Sequence, residues 1–96
     1  MTRQEIITKA VPILQRNPFV LSCALFGSYA TDNASNSSDI DFLVKLKRGT
    51  TLFDEASLQI ELTEALEKEV DIVDAEMIHP LIRKNVIKER ISFYER

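Results

Sequence analysis

The chain has 96 residues, 45% hydrophobic and 28% charged, with two Gly and three Pro, a balance that excludes a fibrous, low-complexity or obligately disordered protein and fits one domain, residues 1–96. Net charge is −3, from 12 Lys+Arg against 15 Asp+Glu, so no global positive field draws it to nucleic acid, and no direct nucleic-acid binding is expected. No apolar run nears the roughly 18 residues that span a bilayer, and Met1 to Glu5 lacks the basic-then-apolar layout of a signal peptide, so no membrane contact is expected and the cytoplasm is.

Thr2 followed by Glu5 fits a capping box, and Ile6, Ile7, Ala10, Val11 and Leu14 recur at helical spacing, which predicts a helix over 3–16. Phe19 to Phe26 is an almost unbroken apolar stretch stopped by Gly27-Ser28, and reads as a buried central strand. Cys23 lies inside it; a lone cysteine in apolar company is a small buried hydrophobe and fits a reducing compartment. Residues 29–38 are small and polar, the one long irregular segment. From Asp39 to Lys47, Ile40, Phe42, Val44 and Leu46 alternate with Asp39, Asp41, Leu43, Lys45 and Lys47, the pattern of a second strand.

Thr51 with Asp54 can cap a helix from about Phe53 to Lys68, with Glu61, Glu64, Glu67 and Glu69 on a solvated face and Glu64 able to pair with Lys68. Val70 to Ala75 reads as a third strand. Pro80 suits the first position of a last helix ending near Tyr94, with His79 as a surface or capping residue. The order is helix, strand, strand, helix, strand, helix. It predicts an α+β, two-layer unit: a small mixed β-sheet with helices packed on one face.

Ser38-Asp39-Ile40-Asp41 stands out chemically. On a strand Asp39 and Asp41 share one face, about 7 Å apart, and repel each other unless a hard divalent cation compensates. Alone, the pair reads first as two ordinary solvent-side carboxylates on an edge strand. Gly27-Ser28, at the end of the buried strand, offers a Cβ-free approach for phosphate with a hydroxyl and amide beside it, although a lone Gly-Ser is also an ordinary turn. Asp71 shares its face with Val73, so a third strand lying beside the second would add a third carboxylate.

Gly27-Ser28-Tyr29-Ala30, the polar stretch, Ser38-Asp39-Ile40-Asp41-Phe42-Leu43-Val44 and Val70-Asp71-Ile72-Val73 together resemble the minimal nucleotidyltransferases, the MNT group of the DNA polymerase β-like superfamily. The resemblance runs from Val20 to about Tyr94 and implies a polymerase β palm-like fold. It further implies that Asp39, Asp41 and Asp71 are the catalytic, metal-binding carboxylates for two magnesium ions. Gly27, Ser28 and Ser38 would hold the nucleotide, ATP. Family members commonly carry Arg-Gly after Gly-Ser-x-Ala, where this chain has Thr31 and Asp32. The change removes a phosphate-binding guanidinium and adds a carboxylate; Lys45, which shares the parity of Asp39 and Asp41, is one residue that could compensate.

The implied activity is a Mg-dependent nucleotidyl transfer, of AMP to a tyrosine of a HEPN-domain ribonuclease toxin, which makes the chain the antitoxin of the pair. An alternative is a binding module that neutralises the same partner by occlusion with weak or no catalysis. A third, aminoglycoside-type nucleotidylation, shares the motif but usually comes with an added acceptor domain.

Overall fold

Two capping boxes start the two long helices of the computed structural model, which describes Met1–Arg96. In α1, Arg3–Gln15, the Thr2 hydroxyl accepts the Glu5 amide at 3.1 Å while Glu5 accepts the Thr2 amide at 3.2 Å. Ile6, Ala10, Ile13 and Leu14 fall on one stripe of the helix and are buried. In α2, Leu52–Leu66, Thr51 and Asp54 make the same exchange at 3.1 and 2.9 Å, and Leu58, Leu62 and Leu66 bury one residue per turn. Glu61 does not stand free on the outer face: it takes Arg16 at 2.7 Å and Asn17 at 3.3 Å, tying α2 to the end of α1.

Four strands form one mixed sheet: β1 Val20–Phe26, β2 Ile40–Leu46, β3 Val70–Asp74 and β4 Ile91–Glu95, in spatial order β3-β2-β1-β4. β1 is antiparallel to both β2 and β4, while β2 and β3 run parallel through the α2 crossover. β2 is therefore an interior strand, not an edge. Its residues Ile40, Phe42 and Val44, with Val20, Cys23, Leu25 and Val70, meet the apolar stripes of α1 and α2 in the main core. Cys23 is buried there, and burial pushes its thiol pKa far up, so it packs and does not react.

The C-terminal segment departs from expectation. The helix α3, Pro80–Glu89, stops where Arg90 turns extended (φ −63°, ψ 150°), and the chain continues as β4 rather than as helix to Tyr94. Ile91 and Phe93 pack towards the main core while Ser92 lies between them, and β1 supplies the hydrogen bonds. A five-residue strand carries too few alternations to be told from a helical continuation by period alone; its pairing decides it.

Arg96 then closes the molecule. Its guanidinium donates to the carbonyls of Leu14 at 2.9 Å, Gln15 at 3.1 Å, Asn17 at 3.3 Å and Val20 at 3.0 Å. It thereby caps the C-terminal end of α1, which has no basic residue in its own last turn.

The helices do not all share a side of the sheet. α1 and α2 cover one face. α3 buries none of its residues and rests lightly on the other face, with Val86 beside a small cluster of Ala24, Leu43 and Ile78 and Arg83 donating to the Ala75 carbonyl. Most of that second face stays open, and the acidic residues lie on it.

Candidate active site

β2 and β3 are paired so that Asp41 stands opposite Asp71. Neighbouring strands are about 5 Å apart, and alternation turns both side chains away from Phe42 and Ile72, which face the helices. Asp39 sits just ahead of β2 and is exposed, as is Asp71, while Asp41 is half-buried. The proximity shows in the chemistry: burial first, then the charges of Asp71 and Asp39, hold the Asp41 carboxyl pKa above its ordinary value.

Gly27 adjoins this group from β1, whose last residue Phe26 is registered on Asp41. It takes φ +72°, and a Cβ built on it would come within 3.2 Å of the Asp41 Cγ and closer still to its carboxylate oxygen. Glycine is needed here twice over, for the left-handed backbone and for the space. The turn Gly27–Tyr29 follows, pinned by buried Tyr29. The Gly27 carbonyl accepts the amides of Ala30 at 3.1 Å and Thr31 at 3.2 Å and the Thr31 hydroxyl at 3.2 Å. Ser28, half-buried, follows Gly27 directly.

Thr31 and Asp32 acquire roles from this geometry. Thr31 locks the turn. Asp32 adopts φ 60°, the left-handed conformation that glycine occupies freely and aspartate tolerates. Its carboxylate is held at 2.7 Å by Arg3 from α1, whose guanidinium also donates to the Tyr29 carbonyl at 3.0 Å and the Ala30 carbonyl at 3.4 Å. The added negative charge is thus paired inside the chain.

Ser38 accepts the Ser35 amide at 2.8 Å through its hydroxyl, closing the loop that delivers Asp39. Lys68 donates from the end of α2 to the carbonyls of Asn36 at 2.7 Å and Ser38 at 3.3 Å. It does not form the expected pair with Glu64; the chain's ion pairs are Arg3–Asp32 and Arg16–Glu61. Sequence reading missed both anchors, Arg3 and Lys68, because each acts across about thirty residues on main-chain carbonyls. His79 caps α3, its Nδ1 accepting the Leu81 amide at 3.1 Å.

An all-carboxylate donor set is what a hard divalent cation takes. Asp39, Asp41 and Asp71 fit it by adjacency and by the raised Asp41 pKa, which a cation would relieve. As they stand, no three acidic, histidine or cysteine side chains close around one point.

The sequence model of the family described as polymerase beta, nucleotidyltransferase, matches residues 8–96. The chain belongs to that family. This nucleotidyltransferase is 40% identical over 92 residues to a candidate protein adenylyltransferase of Methanocaldococcus jannaschii, covering 96% of this chain and 98% of the relative. In structure it is similar to a candidate minimal nucleotidyltransferase, TM-score 0.82 and 32% identity over 95% of both chains. It is also similar to one chain of a toxin–antitoxin complex solved with AMP-PNP, TM-score 0.81 and 25% identity over 94% of this chain and 73% of the other. The fold recurs in a complex of a tri-AMPylated Shewanella oneidensis HEPN toxin with its MNT antitoxin, TM-score 0.75 at 24% identity. The nucleotidyltransferase has no helix long and apolar enough to cross a membrane.

Proposed function

We propose that this nucleotidyltransferase moves AMP from ATP to a tyrosine hydroxyl of a HEPN-domain partner in the cytoplasm, and so serves as the antitoxin of a toxin–antitoxin pair. The observation that carries the chemistry is the Asp41–Asp71 register with Asp39 beside it and Gly27 against Asp41. The acceptor and partner are supported by the 40% identical adenylyltransferase relative and the toxin–antitoxin chain with AMP-PNP, and by the family resemblance.

Asp39, Asp41 and Asp71 would hold two magnesium ions, which when bound stabilise charge on the phosphate oxygens. Gly27, Ser28 and Ser38 would hold the triphosphate, with the tight Gly27 turn letting phosphate reach the backbone. Asp71, the more exposed carboxylate of the parallel pair, would help activate the attacking hydroxyl by taking its proton. The acceptor oxygen bonds to the α phosphorus, the α–β phosphoanhydride bond breaks, pyrophosphate leaves and the proton passes to solvent. The face around Asp39 and Asp71 is open, which suits an acceptor that is itself a folded protein and brings its own walls.

The experiment mixes the protein with Mg²⁺, labelled ATP and the HEPN-domain protein of the neighbouring reading frame, comparing wild type with D39A/D41A. Label on the HEPN-domain protein from wild type alone is expected. Equal labelling by both proteins, or by neither, overturns the reading. Neutralisation by binding alone draws its support from Thr31 and Asp32 in place of Arg-Gly; Arg3, which holds the Asp32 carboxylate at 2.7 Å, answers the added charge and not the missing guanidinium.

A further inference from the structure

The charges of this chain are segregated. Between Pro80 and Arg90 stand four basic residues, Arg83, Lys84, Lys88 and Arg90, against Glu89 alone, a balance of +3 in a chain of net −3, which leaves −6 on the remainder. This segment is α3, the helix that buries nothing, with its C-cap Arg90. The helix also presents apolar side chains to solvent: Leu81 is 84% exposed, Ile82 54% and Ile87 44%. A ten-residue helix with no buried face and a basic, apolar surface lacks the packing that normally sustains one.

α3 stands over the open face of the sheet, the face of Asp41 and Asp71. Between the helix and the sheet runs a groove of about 360 Å³ whose lining includes Leu43, Ile78 and Ile87 and, of charged residues, Lys45, Arg83 and Arg90 with Glu95. Leu43 and Lys45 continue the row begun by Asp41 on β2, which places Lys45 about 13 Å along the strand from it. The groove therefore lies on the face of the carboxylates, further along β2, and its charged residues are three cations against Glu95 alone.

We infer that α3 and this groove are the docking surface for the protein acceptor, and that they take an acidic segment with apolar side chains that carries the acceptor hydroxyl towards Asp41 and Asp71. The inference rests on the proposed function. Apolar contact with Leu81, Ile82 and Ile87 supplies the buried area, and Arg83, Arg90 and Lys45 select an acidic segment and steer its approach. Nucleotide alone does not account for the surface, because ATP in the groove has no use for Leu81 and Ile82, two exposed aliphatic side chains that lie outside it.

The test compares wild type, R83E/R90E and L81S for binding to the same HEPN-domain protein, for KM towards that protein and towards ATP, and for binding to a single-stranded RNA. The charge reversal is expected to weaken protein binding at least about tenfold and to raise KM for the protein, with KM for ATP and kcat unchanged. L81S is expected to weaken protein binding without altering its salt dependence. Arg83 donates to the Ala75 carbonyl at 3.1 Å, so R90E alone repeats the measurement if the double variant folds poorly by circular dichroism. Unchanged protein binding by the reversed variants, while wild type still labels the acceptor, overturns this inference and leaves the function standing. A rise in KM for ATP alone, or loss of RNA binding alone, assigns the surface to another ligand and overturns it equally. If wild type neither binds nor labels the HEPN-domain protein, the function itself fails and the docking surface falls with it.

Discussion

Gly27 and Asp41 are packed so closely that the glycine has no room for a side chain: a Cβ would lie within 3.2 Å of the aspartate Cγ. The obstructed group is the end of a movable side chain, so Gly27→Ala will displace the carboxylate before it unfolds the protein. The left-handed backbone adds about 1–2 kcal/mol of strain. Activity is expected to fall roughly 100-fold, as misplacement of a reacting group by about 1 Å does, while circular dichroism still shows a folded protein. Steady-state rates and a melting curve on the same preparation check this. A variant with normal activity would mean that Asp41 need not hold its position.

Asp41 lowers the stability of the metal-free protein. Burial, then Asp71, then Asp39 raise its pKa, so the folded state holds the proton more tightly than the unfolded chain. The penalty is absent below the unfolded value and sets in as pH rises through it towards the raised folded value. Asp41→Asn is therefore expected to melt like wild type in acid and a few degrees higher at neutral pH, given that about 1 kcal/mol moves a domain of this size by roughly 4–8 °C. Mg²⁺ is expected to raise the melting temperature of wild type and not of the variant. The asparagine protein is expected to be inactive, a gain of stability at the cost of function. Melting curves across pH, with and without Mg²⁺, decide it.

What could be read from sequence was whatever is encoded locally. Both capping boxes, Pro80 at the head of α3, the burial of Cys23, and the shared face of Asp41 and Leu43 follow from residues within a turn or a strand of one another. The Asp41–Asp71 pairing was legible only as a condition, since register depends on how two distant strands meet. β4 was missed because five residues show too little alternation and its partner β1 lies some seventy residues away. Arg3, Lys68 and Arg96 were invisible for one shared reason. Each is a long cation that binds main-chain carbonyls far away in the chain, as Arg3 does beside its Asp32 ion pair, and a carbonyl has no signature in the sequence. The two-sided placement of helices was equally hidden, because α3 is basic and apolar all round and its pattern names no face.

Arg3 fixes the turn after Gly27-Ser28 and neutralises Asp32. The ion pair is exposed and by itself worth at most about 1 kcal/mol, so Arg3→Ala is expected to lower the melting temperature only slightly. Its larger effect is on ATP: with Asp32 unpaired near the triphosphate, KM for ATP is expected to rise several-fold. Asp32→Asn in the Arg3→Ala background is expected to restore most of that loss if charge is the cause. If the double variant binds ATP as poorly as Arg3→Ala, the contacts to the Tyr29 and Ala30 carbonyls matter instead. A double-mutant cycle on KM separates the two.

Arg96 binds four carbonyls at the far end of β1 from Gly27, so its effects on stability and on chemistry should separate. Charged hydrogen bonds to main-chain groups are worth about 1.5–3 kcal/mol where both partners are shielded, and several of these are partly exposed. Arg96→Ala is expected to cost about 1–3 kcal/mol and so to lower the melting temperature by roughly 4 °C or more. The carbonyls of Leu14 and Gln15 are then left to water, and the end of α1 frays. Hydrogen exchange is expected to quicken at Arg16 and Asn17, whose amides donate to the Pro12 and Leu14 carbonyls, but not at Ala30 or Thr31 beside the active site. Below the melting transition, kcat and KM for ATP are expected to match wild type. A drop in kcat with no change in melting temperature would show that the α1 cap and the carboxylates are coupled through β1, against the division drawn here.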